Sequence, residues 1–238
     1  MRSILCILYI IFHRIYSIIF MVKYAFLKKF STKEKQLSYA YKWLQGLARG
    51  VMWCSGAKIT VQGKENIPTD QPVLFVANHK SYFDIPILVS IIDVPMAFIG
   101  KMELKKMPIV SYWMKRIHCI FMDRDDIRQS LKAINQGIEQ IKEGQSLLIF
   151  PEGTRIKGDE LGEFKKGSLK LATKSNAPIV PVYIGNAYKI LEAHFPWVKA
   201  TDITVNIGAP IELDALSLED KKNLSEYVKC KIEELREM

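Results

Sequence analysis

The fold is decided by the stretch VLFVANHKSYFDIP, residues 73–86, in which an apolar run gives way abruptly to a polar turn. Residues 73–77 are uniformly apolar, a pattern typical of a strand that is buried on both faces. Pro86 then suits the first turn of a helix. Because ligands in open α/β sheets bind beyond the carboxyl ends of the strands, this turn is the first candidate for a functional site.

Short apolar runs and longer stretches of helical periodicity alternate through the rest of the chain. Residues 126–142, for example, carry apolar side chains at helical spacing. Strands are predicted at residues 73–77, 97–100, 117–122, 146–150, 179–184 and 203–207. Helices are predicted at residues 85–92, 103–115, 126–142, 166–175 and 216–238. This alternation predicts a single α/β domain with a mostly parallel central sheet flanked by helices.

The N-terminal part of the chain is both basic and apolar. Residues 1–64 contain eleven Lys and Arg against one acidic residue, Glu34, whereas residues 65–238 have a net charge of −1. Basic residues interleaved with apolar runs suit an anionic bilayer surface better than nucleic acid. We therefore predict membrane-associating helices over residues 1–64 and a catalytic domain over residues 65–238, with membrane lipids and no nucleic acid as partners.

We do not expect residues 4–22 to form a simple membrane span. A spanning helix needs ~20 largely uncharged residues, and Arg14 near its centre costs about 3 kcal/mol on insertion scales. No small-residue cleavage site follows, which argues against a signal peptide. We expect one or two helices in the membrane interface, with Tyr24 and Trp43 among the aromatic residues at its boundary. A hydrophobic helix packed on its own domain is the alternative.

The cysteines and the familiar sequence fingerprints exclude several kinds of site. Cys6, Cys54, Cys119 and Cys230 form no CxxC pair and have no metal-ligand spacing to a histidine. The chain has no Gly-x-Ser-x-Gly elbow, Walker loop or dinucleotide-binding glycine motif. We expect four reduced thiols and no zinc site.

His79 and Asp84 form the first pair with catalytic chemistry. On one continuous helix they would stand about 140° apart, but they can meet if His79 lies in a strand-to-helix turn and Asp84 in the first helical turn. Asp84 would then fix the histidine tautomer, so that the other ring nitrogen can take a proton. A histidine that merely satisfies a turn is the alternative.

Cationic and glycine-containing turns follow further predicted strands. Lys101 follows the second strand and Arg124 the third, and two cations at neighbouring strand ends suit an anionic ligand. Phe150-Pro151-Glu152-Gly153-Thr154-Arg155 follows the fourth strand, and such a turn can offer backbone N–H groups to an oxyanion or a phosphate. Surface salt bridges are the alternative for either cation alone.

Four sequence blocks together resemble the glycerolipid acyltransferase family, in particular its bacterial 1-acyl-glycerol-3-phosphate acyltransferases. The blocks are Asn-His-x-Ser-x-x-Asp at 78–84, Gly-Lys-x-Glu-Leu at 100–104 with Arg124 beyond, Phe-Pro-Glu-Gly-Thr-Arg at 150–155, and Val-Pro-Val at 180–182. They lie within residues 70–185, and their common order and spacing argue against chance agreement.

The resemblance implies direct transfer of a fatty acyl group to the sn-2 hydroxyl of lysophosphatidate. His79 would be the general base and Asp84 would steady its imidazolium. Backbone amides near Lys105 or the Gly153 turn would stabilise the oxyanion. The resemblance also implies an acyl-CoA or acyl-carrier protein donor, whose activated bond requires no metal and no bound cofactor. It further implies a monotopic or peripheral location on the cytoplasmic face of the inner membrane. The substrate-binding residues that it implies are Lys101, Arg124, Glu152, Gly153, Thr154 and Arg155.

Two departures from the family pattern leave the acceptor lipid open. Val110-Ser111 and Ile117-His118 stand where glycines are common, and Ile156 stands where serine is frequent. Lyso-ornithine lipid, glycerol-3-phosphate and lysophosphatidylglycerol are therefore alternative acceptors. Two alternatives come from other functional classes: a lysophospholipid hydrolase that uses Ser81 or water, and a catalytically silent lipid-binding protein.

Overall fold

The chain folds into two long N-terminal helices followed by an α/β domain, and the computed structural model describes residues 1–123, 126–156, 158 and 160–238. The helices are α1 (Arg2–Phe30), α2 (Lys33–Ser55), α3 (Asp84–Ile91), α4 (Pro108–Arg116), α5 (Ile127–Lys142), α6 (Lys170–Ser175), α7 (Leu218–Lys222) and α8 (Leu224–Arg236). The strands are β1 (Lys58–Gln62), β2 (Leu74–Ala77), β3 (Met96–Lys101), β4 (Ile120–Met122), β5 (Ser146–Ile149), β6 (Ile179–Gly185) and β7 (Asp202–Ile207).

The seven strands form one mostly parallel sheet in the order β1-β7-β6-β2-β5-β3-β4. β6 and β7 run antiparallel, and the other neighbouring strands run parallel. The carboxyl ends of the adjacent strands β2, β5 and β3 therefore lie at the same edge of the sheet. The predicted α/β domain with a mostly parallel sheet is confirmed.

The central strand β2 and the residue before it separate two apolar cores. Val73, Phe75 and Ala77 contribute to the core on the side of α2, α3 and α4. Leu74 and Val76 contribute to the core on the side of α5, α6 and α8. All five side chains are fully buried, which explains why the strand reads as an uninterrupted apolar run.

The structure adds one strand that the sequence pattern did not predict. β1 pairs in parallel with β7 at the edge of the sheet. Its residues alternate between exposed and half-buried positions, so no apolar run marks it. The sheet thus begins at Lys58, before the predicted domain boundary at residue 64.

Several predicted elements are interrupted at specific residues. The helix predicted over 103–115 is a short 3₁₀ turn, Met102–Lys106, followed by α4, because Pro108 fits the start of a helix but not its interior. β4 begins only at Ile120, since the preceding turn places His118 at a φ of 61°. The helix predicted over 166–175 begins at Lys170, and the C-terminal helix is divided at Asn223.

α1 is one continuous helix that lies against the rest of the molecule. Its buried residues form a single stripe, and they are Ser3, Cys6, His13, Ser17 and Tyr24. Near one end, Ser3 Oγ donates to the Pro196 carbonyl at 3.3 Å and accepts from Val198 N at 2.7 Å. The helix continues through His13-Arg14, where His13 turns inward onto Trp43 with a ring-centroid distance of 4.9 Å.

A cluster of aromatic side chains joins α1, α2 and α4. The rings of Trp43 and Trp113 stack with their centroids 4.1 Å apart, and Tyr24 meets Trp113 edge-on at 6.1 Å. Trp113 Nε1 donates to Ser17 Oγ at 2.6 Å. Tyr24 and Trp43, which we expected at the membrane boundary, are instead buried within the protein.

Replacement of Trp113 by alanine should destabilise the fold by about 3–5 kcal/mol, because it empties the centre of this cluster and removes the contact with α1. Denaturant unfolding in detergent micelles measures this change. Trp53→Ala provides the control, since Trp53 lies on α2 but is 75% exposed; it should change the free energy of unfolding by less than ~0.5 kcal/mol. Equal losses in the two variants would contradict a central role for the cluster.

Candidate active site

The turn after β2 folds around the carboxylate of Asp84. Asp84 Oδ2 accepts backbone hydrogen bonds from Lys80 N at 2.7 Å and Ser81 N at 2.8 Å, and it lies 2.7 Å from His79 Nδ1. His79 stands in the turn and Asp84 is the first residue of α3. The structure therefore brings the two side chains together in the manner that the sequence predicts.

Asp84 is buried, and its hydrogen bonds to protein groups, His79 among them, are made through one carboxylate oxygen. Burial raises the pKa of the Asp84 carboxyl, while the hydrogen bonds from His79, Ser81 and Lys80 oppose this shift. The other oxygen, Oδ1, is buried and has no hydrogen-bond partner among the described residues. Since Nδ1 of His79 is engaged with Asp84, Nε2 is the ring nitrogen that can accept a proton from a substrate.

The loop after β5 fixes His79 from the other side. His79 N donates to Glu152 Oε1 at 2.9 Å, and Ile156 N donates to the His79 carbonyl at 2.9 Å. The Phe150 ring stacks on the imidazole at 4.2 Å with an interplanar angle of 17°. The backbone and the ring of His79 are therefore both held in place before any substrate binds.

Glu152 is buried beside the site and does not line the cavity next to His79. Its side chain is 3% exposed, and Oε2 accepts a second backbone bond from Gly162 N at 3.3 Å. Burial raises the pKa of this carboxyl, against the effect of the two backbone hydrogen bonds. Both carboxylate oxygens therefore bind backbone N–H groups of the chain, one of them that of His79, and the substrate contact predicted for Glu152 stays a prediction.

Gly153 closes the turn after Phe150. It adopts a φ of 70°, and its N–H donates to the Phe150 carbonyl at 3.1 Å. That bond occupies one backbone N–H of the turn that we predicted to bind an oxyanion or a phosphate. Gly153 lines a separate cavity beside Lys165, where an added Cβ would come within 2.9 Å of Lys165 Nζ.

The remaining predicted residues meet at one cavity of about 280 Å³ beyond the ends of β2, β3 and β5. Its polar lining includes His79, Lys101, Thr154 and Arg155. Its apolar lining is formed by Ile85, Ile99, Leu104 and Phe150. The cavity therefore combines an imidazole, cationic groups and an apolar wall. Arg124, predicted to bind the same anion, lies outside the described residues.

Glu192 is a residue of the site that the sequence did not reveal. Its carboxylate accepts from Ser81 Oγ at 2.7 Å and from Tyr82 N at 2.7 Å, and it pairs with Arg155 at 3.5 Å. The Arg155 guanidinium also lies 3.4 Å from the Tyr82 ring centroid. Glu192 comes from a short 3₁₀ turn beyond the last recognised sequence block, so no motif signalled it.

These contacts bear directly on the hydrolase alternative. The Ser81 hydroxyl is 1% exposed and donates to Glu192, not to His79. A serine nucleophile must instead be accessible and hydrogen-bonded to its base. The geometry therefore disfavours Ser81 as a nucleophile and leaves His79 with a proton-transfer role.

Two buried residues beside His79 tie the turn to distant strands and loops. Asn78 Nδ2 donates to the Ile184 carbonyl at 2.9 Å, and Ile184 N donates to Asn78 Oδ1 at 2.7 Å. On the other side of His79, Lys80 Nζ donates to the carbonyls of Gly158, at 2.9 Å, and Glu160. The catalytic turn is thus anchored to β6 and to the loop that follows the Glu152 turn.

The sequence of this chain is similar to those of known acyltransferases. The acyltransferase family model covers residues 58–185. The chain is 32% identical over 181 residues to a 1-acyl-sn-glycerol-3-phosphate acyltransferase of Borreliella burgdorferi, covering 76% of this chain and 72% of that protein. It is 39% identical over 138 residues to a protein of Mycoplasma pneumoniae named as a probable enzyme of the same kind, covering 56% of this chain and only 51% of the relative.

A solved structure extends the similarity to the whole chain. The crystal structure of the 1-acyl-sn-glycerophosphate (LPA) acyltransferase PlsC from Thermotoga maritima superposes with a TM-score of 0.80 at 29% sequence identity. The superposition covers 98% of this chain and 97% of the other. The N-terminal helices, which lie outside the family-model match, are therefore included in the structural likeness.

Asn78→Ala should destabilise the fold by about 2–4 kcal/mol, because it leaves the N–H and the carbonyl of Ile184 buried without partners. Denaturant unfolding measures the change. Asn135→Ala, at an exposed position on α5, should leave stability within ~0.5 kcal/mol of the parent protein. A similarly small effect at Asn78 would show that the pairing with β6 does not hold the turn.

Proposed function

This chain belongs to the acyltransferase family, and we propose that it transfers a fatty acyl group from a thioester to the sn-2 hydroxyl of lysophosphatidate, forming phosphatidate. The relatives named above act on this class of acceptor according to their names. The single observation that carries the proposal is the His79–Asp84 pair, joined at 2.7 Å and opening on a cavity with cationic and apolar walls.

In the proposed reaction, His79 acts as a general base and no acyl-enzyme forms. Nε2 takes the proton from the sn-2 hydroxyl as that oxygen attacks the thioester carbonyl. The tetrahedral intermediate collapses, the carbon–sulfur bond breaks, and the imidazolium returns its proton to the leaving thiolate. Asp84 stabilises the imidazolium through Nδ1 during the interval. The thioester supplies the activated bond, so the step needs neither a metal nor a bound cofactor.

The phosphate of the acceptor is assigned to Lys101, Thr154 and Arg155. All three line the cavity with His79. Glu192 and Tyr82 hold the Arg155 guanidinium in one orientation, and a guanidinium has donors to spare for a phosphate. Arg124 is proposed as a further phosphate ligand on the sequence resemblance alone. The acyl chain of the acceptor would then lie against the apolar wall.

Phosphatidate formation tests the reaction and its base together. Labelled acyl transfer from acyl-CoA and from acyl-carrier protein to lysophosphatidate, in detergent micelles, should give phosphatidate with the parent protein. His79→Ala should lower turnover by at least ~100-fold, since general-base catalysis typically supplies that much, and Asp84→Asn should also lower it. Asp202→Asn, an exposed control, should retain full activity.

Two results would contradict the proposal at different points. A loss of less than about fivefold in His79→Ala would remove His79 from the mechanism. No phosphatidate from either donor with the parent protein would reject lysophosphatidate as the acceptor, and the same assay would then be run with lyso-ornithine lipid, glycerol-3-phosphate and lysophosphatidylglycerol.

We also propose that α1 lies in the plane of a membrane, at the cytoplasmic face of the inner membrane. Its 29 residues are long and apolar enough to cross a bilayer. However, Ser3 and Tyr24 both contact the rest of the protein, and they lie about 30 Å apart along the helix. That is the thickness of the hydrocarbon core, so a spanning helix could not keep both contacts with one domain outside the bilayer.

The surface of α1 that faces away from the protein is apolar. Its large exposed side chains include Ile4, Leu8, Ile11, Ile15, Ile18, Ile19, Val22 and Phe26. Phe195 and Trp197 are also exposed, beside the residues that bind Ser3. A large contiguous apolar surface of this kind marks an interaction site, and together with basic flanking residues it suits a lipid interface.

Replacing Ile11, Ile15 and Ile18 together by aspartate should move the protein from the membrane pellet to the supernatant, since a carboxylate within the bilayer costs about 3 kcal/mol on insertion scales. The control is the triple aspartate variant of Ile127, Leu131 and Leu218, which are at least 54% exposed elsewhere on the surface. It should sediment with membranes like the parent. Continued sedimentation of the α1 variant would contradict the membrane assignment of this face.

A further inference from the structure

A second cavity, larger than the one at His79, lies along the outer edge of the sheet. It has a volume of about 650 Å³ and we name it the β4 cavity. Its lining consists of Met102, Lys105, Lys115, His118, Cys119, Ile120, Phe121, Gln129, Lys132, Ala133, Gln136 and Gln140. These residues belong to the 3₁₀ turn after β3, the end of α4, β4 itself and one face of α5. The proposed transfer assigns no role to them.

The β4 cavity is cationic. Lys105, Lys115 and Lys132 reach it from three different elements. In the part of the chain that the structure describes, none of these lysines forms an ion pair, and no aspartate or glutamate is among the lining residues. Three positive charges converging without a partner favour an anionic ligand such as a phosphate.

The wall of the cavity includes the edge of the sheet. β4 is the last strand of the sheet and hydrogen-bonds to β3 along one side. Along its other side the described residues provide no neighbouring strand, and Ile120 and Phe121 line the cavity. A strand edge without a neighbouring strand can bind an extended ligand whose amides continue the hydrogen-bond pattern of the sheet.

The β4 cavity adjoins the catalytic cavity through one short segment. Lys101, Glu103 and Leu104 line the cavity of His79, whereas Met102 and Lys105 line the β4 cavity. Residues alternate between the two sides of the 3₁₀ turn Met102–Lys106. The turn is therefore the wall that the two cavities share. A flexible arm could therefore be held in one cavity and react in the other.

We propose that the β4 cavity binds the phosphopantetheine part of the acyl donor, an inference that rests on the proposed acyl transfer. The pantetheine arm carries two secondary amides, which match the free edge of β4, and ends in a phosphate, which matches the lysines. Its thioester end passes over the Met102–Lys106 turn to the carbonyl position beside His79. CoA and acyl-carrier protein share this arm, so the cavity serves either source.

Kinetics with separated substrates test the charge of the cavity. In Lys105→Gln/Lys115→Gln/Lys132→Gln, the KM for the donor should rise at least tenfold, while the KM for lysophosphatidate should stay within twofold of the parent. The control is Lys58→Gln/Lys174→Gln/Lys199→Gln, which removes the same charge from exposed positions elsewhere and should leave both constants unchanged. An unchanged donor KM in the cavity variant, with both donors, would overturn the proposal.

A steric variant tests the groove with its charges intact. Gln136 lines the β4 cavity and its neighbour Asn135 is exposed on the same helix without lining it. Gln136→Trp should obstruct the arm and raise the donor KM at least fivefold, whereas Asn135→Trp should not. Equal donor KM values for these two variants would contradict placement of the arm along β4.

The two donors distinguish the source of the phosphopantetheine. A rise in KM with both donors would support binding of the shared phosphopantetheine. A rise confined to acyl-CoA would place its nucleotide phosphates on the lysines, a rise confined to acyl-carrier protein would place the acidic surface of the carrier there, and either result would overturn the proposal. Calorimetry with CoA, and separately with holo acyl-carrier protein, needs no turnover. If acyl transfer to every acceptor failed, weaker binding of either probe to the triple glutamine variant would still support the cavity, and equal binding of both would overturn it.

Discussion

The site depends on one buried carboxylate, because Asp84 must be desolvated and still remain a hydrogen-bond acceptor. Burial alone would favour the neutral acid, but a single oxygen collects the His79 ring and two successive backbone N–H groups. Accepting these N–H groups bends the chain between Lys80 and Ser81 and sets the direction in which His79 leaves β2. The histidine orientation is therefore a property of the turn, and the loop after β5 adds to it through Glu152 and Phe150.

Much of the fold could be predicted because its central strands are covered on both faces. The run at 73–77 has to be apolar at every position when two cores meet at β2. β1 was not predicted because it is an edge strand whose residues alternate between exposed and half-buried positions, so its sequence contains no continuous apolar run. The inward position of His13 escaped it too, since it depends on Trp43, a partner on a different helix.

The candidate site was predictable where chemistry coincides with a strand end. Three neighbouring parallel strands end at or shortly before His79, Lys101 and Arg155. Because the carboxyl ends of parallel strands lie at one edge of the sheet, these side chains line the same cavity. The motif shows that Glu152 is present but not that its carboxylate accepts hydrogen bonds from the backbone of His79 and Gly162. Glu192 could not be found at all, because its contacts with Ser81 and Arg155 join segments that share no local pattern.

The attachment of α1 along its length has a consequence for how the protein meets its lipid. Contacts at both Ser3 and Tyr24 prevent the domain from rotating relative to α1. With α1 in the membrane plane, as proposed, the cleft would keep one height and one tilt relative to the leaflet, and the proposed acceptor would arrive by lateral diffusion without leaving the bilayer. The rate of acyl transfer would then depend on the mole fraction of acceptor in the leaflet. Added inert lipid would lower this rate by lowering that mole fraction, even at a constant total amount of acceptor.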